Sequence, residues 1–527
     1  MTAKILVVGA GPVGLTMAAE LARHGVDARI IDKALSPLPY CRAIGITPRT
    51  LEVWDDMGMV LDAIDAGLWL TGLRTIIDGK RMPDQHRDLG DQPYAELGLP
   101  QYETERVLTR HLKLFGIVSE RGVGLDSITD KGMGAAVRLR HADGLVEDAE
   151  FDFVIGCDGA HSTVRHLAGI DFDGDAFASE FMLGDVFIDW DVPPGTAVFS
   201  INPKQDAAPD LFVAIPLPER GRYRVSMVAP DDGLHDASSG LEHGIQSERE
   251  PPSLQALQAV ADRLLPGAPG LSDLRWSSIF RISMRLAREY RRGCLFLAGD
   301  AAHIHPPTGG QGMNTGIQDA YNLAWKLALV VRGKAPLDLL DSYEAERRPI
   351  GADVVARTKA ASQGLGRTEH KDRLADTQLL VTYRDTAWVR DDTSGSSGPA
   401  AGDRAPDVGG LTRFGVAAPL RLFDILRGPS HVLLIRLLDW GQQAEIEAFA
   451  NRLSEQRGDL LRAAVIAPKG DGPANFFGIP LLCDANGAFA ATYGASSYLI
   501  RPDGYVGWKG AVWAGEGLQT YLRKIFL

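Results

Sequence analysis

Cysteine is scarce in this chain of 527 residues: Cys41, Cys157, Cys294 and Cys483 stand far apart, with no CxxC among them. Neither a disulfide framework nor a zinc site is expected. Long apolar runs are missing too. Nothing approaches the roughly 20 residues that cross a bilayer, and no charged and then apolar leader precedes the strand-like Lys4 to Val8. Export and membrane insertion are therefore disfavoured, and a reducing cytoplasm is the expected compartment. Positive charge is in deficit: 55 Lys and Arg against 68 Asp and Glu give a net charge of −13. That balance opposes attraction to phosphate backbones and anionic lipid, so nucleic acid and membrane are not expected as partners. The length calls for two or three hydrophobic cores.

Apolar patterning divides the chain. Lys4 to Val8 and Ala28 to Ile31 are strand-like and flank a helical spacing from Pro12 to Gly25, which makes one βαβ unit. Two later strand-like runs, Phe153 to Cys157 and Cys294 to Ala298, each stop at an acidic residue beside glycine. Between them, residues 172–275 carry alternating stretches such as Arg222 to Val228, the pattern of a mainly antiparallel sheet inserted into the first domain. Helical spacing returns at Asn314 to Val331 and Asp341 to Lys359. The Gly, Ser and Pro-rich stretch from Ser394 to Asp403 reads as a flexible linker. Beyond it, strand-like segments (His431 to Leu437, Ala464 to Ile466, Ser497 to Ile500) and a helical one (Gln443 to Gln456) suffice for a small α/β unit. The expected division is 1–171 with 276–363, an inserted 172–275, a linker 364–402 and a tail 403–527.

Gly9-Ala10-Gly11-Pro12-Val13-Gly14 sits where a strand turns into a helix, and Asp32, followed by Lys33, ends the next strand. Glycines at this spacing permit a tight turn, close approach of a pyrophosphate and close helix–strand packing, while the acidic residue suits a ribose hydroxyl. The motif alone does not separate FAD from NAD. The second signal does: Gly299-Asp300-Ala301-Ala302-His303 ends a strand, and Pro306 to Asn314 opens a helix through a Gly-rich loop. A carboxylate there can hold a ribityl chain, and a helix N-terminus can stabilise an anionic reduced flavin.

With Cys157-Asp158-Gly159-Ala160-His161-Ser162-Thr163-Val164-Arg165 as the third motif, residues 1 to about 360 resemble the class A flavoprotein aromatic hydroxylases, which include p-hydroxybenzoate hydroxylase and phenol hydroxylase. The resemblance implies an α/β fold: a Rossmann-type FAD-binding domain, an inserted antiparallel substrate domain and a C-terminal extension. It implies Gly9, Gly11, Pro12, Val13, Gly14, Asp32 and Lys33 at the ADP part of FAD. Arg42 falls near the phosphates, Gln101 at the ribityl chain, Gly299 and Asp300 at the ribityl-pyrophosphate region, and Asp158 in the segment linked to both FAD and reduced nicotinamide. Gly310, Gly312, Met313 and Asn314 fall at the isoalloxazine, with the Pro307 carbonyl facing substrate. With one GxGxxG, NADPH or NADH is expected to visit and leave, and O₂ to be activated as a C4a-hydroperoxyflavin that hydroxylates an aromatic ring.

Other residues stay open. Arg222 is read either as approaching the flavin or as an exposed strand arginine, and Tyr223, Met227 and Trp276 either as lining the substrate cavity or as core. Asp300, His303 and His305 have metal-like spacing, but a turn-stabilising role is expected and no metal. No side chain is singled out as a base. The tail, through Ser497 to Val506, resembles the thioredoxin-like extension of phenol hydroxylases and polyketide-tailoring hydroxylases, without the CxxC needed for thiol exchange. A packing or dimer-supporting role is expected of it, in a monomer or homodimer, and a chain ending near Ser397 is expected to keep its cofactor. A bulky or neutral phenol, polyketides included, is favoured over a small benzoate. Baeyer–Villiger oxygenation, antibiotic inactivation and a non-catalytic flavin sensor are the alternatives, while no WxWxIP segment supports a halogenase.

Overall fold

The computed structural model describes residues 4–37, 43–86, 92–204, 209–229, 250–305, 310–363, 374, 376–393, 395–469, 476 and 478–527. Arg42 and Pro307 lie outside the described residues. The first domain is built on strands Phe153–Gly156, Ile5–Val8 and Ala28–Asp32, paired in parallel in that order, with Leu295–Leu297 parallel beyond the first. Ile5–Val8 and Phe153–Gly156 are buried along their whole length, as continuous apolar runs in a sheet covered on both faces must be. The chain enters helix α1 (Pro12–Arg23) straight from the first strand. It passes later through α2 (Pro48–Met57) and α3 (Gln101–Lys113).

The second sheet is wider than the 172–275 insertion. Its two longest strands, Phe172–Ile188 and Leu271–Ala287, pair antiparallel, so the second runs past residue 275. Gly72–Ile77, far upstream, joins in parallel to Thr196–Asn202. Alternation along these strands sends Met182, Val186, Phe212, Tyr223, Val225 and Met227 into a core beneath α4 (Leu254–Leu264). Tyr223 and Met227 are thus packing residues on the face covered by α4. Of the two readings made of them this is the core one, and the strand's period of two turns both toward α4.

The long helices α5 (Gln311–Val331) and α6 (Asp341–Gln363) start and end within a few residues of the spacing read from the sequence. They also carry the junction with the tail. In the tail, His431–Arg436 and Leu461–Pro468 are parallel, and Ser497–Ile500 and Val506–Gly510 continue the sheet antiparallel. One core joins Trp325, Leu329 and Leu339 of the first domain to Leu433, Ile435, Leu499, Trp508 and Leu522 of the tail. At its edge, the turn Arg501-Pro502-Asp503-Gly504 inserts between the helices. Arg501 donates two hydrogen bonds to Glu346 (2.6 and 2.8 Å), Lys326 donates to the same carboxylate (2.7 Å), and Asp503 accepts from Trp325 (3.1 Å) and Asn322 (3.2 Å). All four charged side chains are essentially inaccessible.

Where it is described, the connecting segment packs against the tail. Tyr383 and Ala401 are buried, Lys509 donates to the carbonyls of Ser396 and Ser397, and Arg390–Asp391 pairs with the tail sheet. Gly402 has φ +92°, and a Cβ there would lie 2.5 Å from the Arg384 nitrogen. Its glycine serves a left-handed turn in close contact, a use that composition does not distinguish from a loose linker.

Two outcomes follow from the junction. A chain ending at Ser397 leaves Lys326 and Glu346 without Arg501 and uncovers Trp325 and Leu329. It should be insoluble or lack cooperative thermal unfolding, and a soluble product melting within about 5 °C of the full chain would overturn this. His431 is packed in the same core between Trp325 (5.3 Å) and Phe526 (5.0 Å), and burial lowers its pKa to about 3. The folded state thus holds it neutral while the unfolded chain takes a proton below about pH 6.5. Stability complete above that pH is lost as pH falls, by about 2 kcal/mol at pH 5 from this group. His431→Leu should shrink the drop in melting temperature between pH 7.5 and 5; an equal drop in the variant would remove His431 as its cause.

Candidate functional site

The first glycine loop shows a separate physical reason for each glycine. Gly9 has φ +103°, and a Cβ on it would come 2.4 Å from the Cys157 carbonyl oxygen; one on Gly14 would come 1.8 Å from the Gly9 oxygen. Gly11 has nothing within 4 Å of its missing Cβ, so the space in front of α1 is open. No side chain caps this N-terminus, leaving backbone N–H groups for an anion. Pro12 is the first helical residue and Val13 follows it. Asp32 accepts from the backbone nitrogens of Ala10 and Ala34, both at 2.8 Å, and Arg121 stands 3.3 Å from its carboxylate. Lys33 is exposed beside it.

Three further segments converge on this loop. Gly299 has φ +64° and faces Val13, while Gly316 of α5 faces the Gly299 backbone, so α1, the turn at 299–301 and α5 meet almost backbone to backbone. Asp300 is exposed on that turn. The Asp158 segment abuts Gly9, and its carboxylate accepts from the nitrogens of Thr163 (2.6 Å) and Val164 (3.2 Å). Its other oxygen is buried without a partner, and burial pushes the group up from the ordinary carboxylate range. Arg165, in the same segment, donates to the Ala301 and Ala160 carbonyls (3.0 and 2.8 Å) and so ties the two turns together.

The N-terminus of α5 forms the far end. Gly310 is its N-cap at φ +65°, again with no capping side chain, and Gly312 and Met313 are half-buried in the first turn. Asn314 donates to the carbonyls of Gly45 (2.8 Å) and Gly310 (2.6 Å) and accepts from the Thr47 nitrogen (3.0 Å). Gln101 opens α3, its backbone bonded to Ala43 and its amide to Glu105. Among the expected cofactor residues, those of the first glycine loop, the Asp158 segment and the 299–301 turn pack together with α5 at one junction. Beneath it, His303 and Arg347 bond the two oxygens of Asp319 at 2.7 and 2.8 Å, all three side chains wholly buried. Asp319 also accepts from the Gly299 nitrogen (3.1 Å). His303 is therefore a turn-stabilising residue. Sequence reasoning passed over Asp319, Arg347 and Arg121, and gave Arg165 of the third motif no role of its own. A lone acidic residue on the mainly apolar α5 was the available signal for Asp319.

Of the two readings made of Arg222, the exposed strand arginine does not hold. It is buried rather than exposed, and it is held by Asp273, whose carbonyl accepts at 2.6 Å. It lines a cleft of about 310 Å³ with Tyr102, Glu103 and Arg275. Trp276 lies on the face opposite to Tyr223, half-buried, with the Arg224 guanidinium 4.6 Å from its ring centre.

A family model described as FAD binding domain matches residues 2–358, and one described as Aromatic-ring hydroxylase, C-terminal, matches residues 398–526. The chain is 33% identical to 6-methylpretetramide 4-monooxygenase of Streptomyces rimosus, over 99% of its own length and 94% of the relative's. It is 30% identical to pentachlorophenol 4-monooxygenase of Sphingobium chlorophenolicum, over 96% and 93%. Its structure is similar to that of aklavinone-11 hydroxylase in a ternary complex with FAD and aklavinone, with TM-score 0.79 and 26% identity over 99% of this chain and 98% of that one. The chain belongs to the FAD-dependent aromatic-ring hydroxylases. The hydroxylase is thus an FAD-dependent monooxygenase, with NAD(P)H and O₂ the co-substrates typical of its class.

The donor set fits that cofactor: two uncapped helix N-termini, open space before Gly11, and carboxylates at Asp32 and Asp300. The surface depends on the triad beneath it. Asp319→Ala should destabilise the hydroxylase by about 3–5 kcal/mol, because Arg347 would be left buried and uncompensated. Asp319→Asn should cost less; equal stability of the Ala variant and the parent in urea unfolding would refute the coupling.

Proposed function

We propose that FAD lies along the α1 to α5 surface and that a neutral, polycyclic phenol lies between it and the second sheet, where one ring carbon is hydroxylated. Gly9, Gly11, Pro12, Val13 and Gly14 would hold the pyrophosphate side, Asp32 and Lys33 the adenosine, and Gln101, Gly299 and Asp300 the ribityl chain. Asp158 would shape the segment facing both, and Gly310, Gly312, Met313 and Asn314 would offer backbone N–H groups to the ring. When bound, FAD supplies the hydride acceptor for NADPH or NADH and the centre that activates O₂. The protein supplies the shape, the N–H donors and a surface that excludes water.

The observation that carries the substrate class is the uncovered face of the sheet. Cross-strand partners share a face, and Phe181, Leu183, Phe199, Val213, Ile215 and Phe280 are register neighbours on the side opposite to α4. All six are only half-buried, whereas their α4-facing neighbours are buried. Ile215 packs with Leu217 against Ile44, next to Gly45, so this face looks toward the first domain. Asp185 and Arg224 are paired within it at 2.6 and 3.1 Å, a unit neutral as a whole. Apolar area with a self-compensated charge pair favours a flat neutral ring system over a benzoate. Relatives named for 6-methylpretetramide and pentachlorophenol support an aromatic substrate, and the match to the aromatic-ring hydroxylase C-terminal family favours ring hydroxylation over Baeyer–Villiger chemistry.

In a screen of naphthols, hydroxyanthraquinones, simple phenols and hydroxybenzoates, the polycyclic neutral compounds should stimulate NADPH oxidation most and gain one oxygen by mass spectrometry. Stimulation by hydroxybenzoates alone would overturn the substrate class. Asp300→Ala should weaken FAD binding about ten- to a hundred-fold, the loss of one or two charge-assisted hydrogen bonds, and an unchanged dissociation constant would remove Asp300 from the site.

A further inference from the structure

Gln378 lies in the segment that follows α6, outside every motif read from the sequence. It is buried, yet its backbone is left-handed at φ +60°, a conformation that favours glycine and that other residues keep only where their surroundings demand it. Its side-chain amide is what the surroundings use. The nitrogen donates to Oε1 of Gln311 (2.8 Å) and Oγ1 of Thr315 (2.9 Å), both in the first turns of α5. The oxygen accepts from Nε2 of Gln318 (2.6 Å) and from Oγ1 of Thr47 (3.2 Å), the N-cap of α2. The flanking backbone repeats the pattern: the Thr377 carbonyl accepts from the Arg49 nitrogen in the first turn of α2 (3.3 Å), and the Asp376 carbonyl from the Gln311 amide (3.0 Å). Asn314 also bonds the same two helix starts, through Gly45 and Thr47. The N-termini of α2 and α5 are therefore stapled twice, by Asn314 and by Gln378.

We propose that Gln378 is a positioning residue for the redox chemistry: by fixing the start of α5 against α2 it sets how strongly the α5 N-terminus favours the reduced, anionic flavin over the oxidised one. The inference rests on the reading that the flavin ring meets Gly310 to Asn314. A helix N-terminus carries about half a positive charge whose effect fades within the first turn, so a small displacement or a loosened first turn changes its action on a ring that gains negative charge on reduction. A glutamine that merely filled space would not need a strained backbone and an amide with both ends bonded.

Two variants of the full-length holoenzyme test this. Gln378→Gly relieves the backbone and removes the amide; Gln378→Glu keeps the size, loses the donors and adds a negative charge near α5. In both, oxidised FAD should bind about three- to thirty-fold more weakly by fluorescence titration. Reduced flavin should lose a further three- to ten-fold, which lowers the two-electron midpoint potential by about 14–30 mV, the glutamate variant more than the glycine one. Variants that melt earlier but keep the parent's potential would show a structural role alone and overturn the inference. Variants unchanged in affinity and potential would overturn it as well. A parent protein that binds no FAD at all would instead bring down the flavin reading on which it rests, a result separable because it needs no variant.

Discussion

Two cations and two anions buried at one junction, Lys326 and Arg501 with Glu346 and Asp503, set the terms for the rest of the molecule. Burial, with Arg501 adding to it, outweighs Glu346 and pulls Lys326 down to about 8, while Arg501 and Lys326 hold Glu346 well below the usual carboxylate range. Each charge is tolerable only because the others are present, since a buried ion that loses its partner is strongly destabilising. Lys326 and Glu346 come from the long helices of the first domain, Arg501 and Asp503 from one tail turn. The first domain cannot complete its own interior without the tail, which explains why 398–526 accompanies 2–358 as a packed body and not as an appendage.

That constraint reaches the catalytic surface through the helices. Asp319, which holds the turn before Asp300, lies two turns before Lys326 on α5, and its partner Arg347 directly follows Glu346 on α6. On the other side, α2 is gripped by the tail through Arg404 on Glu52 (2.9 Å) and Arg421 on Asp55 (2.8 Å), while Arg49 of α2 donates to the Asp503 carbonyl (2.7 Å). The helices whose first turns converge near Gly45 and Gly310 are thus both fastened to the tail, α2 along its length and α5 in its second half. That fastening and a bonded staple at the starts leave little freedom to the surface between them.

What the sequence made legible follows from what each pattern encodes. The βαβ unit and the three glycine-bearing turns could be read because buried parallel strands require continuous apolar runs and the turns require specific glycines. The face of the second sheet could not. Alternation in Arg222 to Val228 says that Tyr223 and Met227 share a side, but only α4, some thirty residues later, decides that theirs is the covered one. The stretch from Ser394 to Asp403 is ambiguous for a different reason: glycine serves both freedom and close contact, and Gly402 has a neighbour 2.5 Å from where a Cβ would stand. Gln378 had no signal at all, since a strained backbone and a satisfied amide are properties of the packed state.

The Asp185–Arg224 pair bears on what the hydroxylase can accept. An anionic substrate would have to draw Arg224 away from a carboxylate that holds it by two hydrogen bonds and from the Trp276 ring beneath it. Asp185 would then be left buried without its countercharge, at a cost of several kcal/mol that a single new ion pair does not recover. A neutral ring leaves the pair intact and gains from the half-exposed apolar neighbours on both sides, at about 25 cal/mol per Å² of apolar surface removed from water. On the substrate class proposed above, a larger and flatter ring system would cover more of that area without touching the charges, so the geometry that would disfavour a carboxylate would also favour extent.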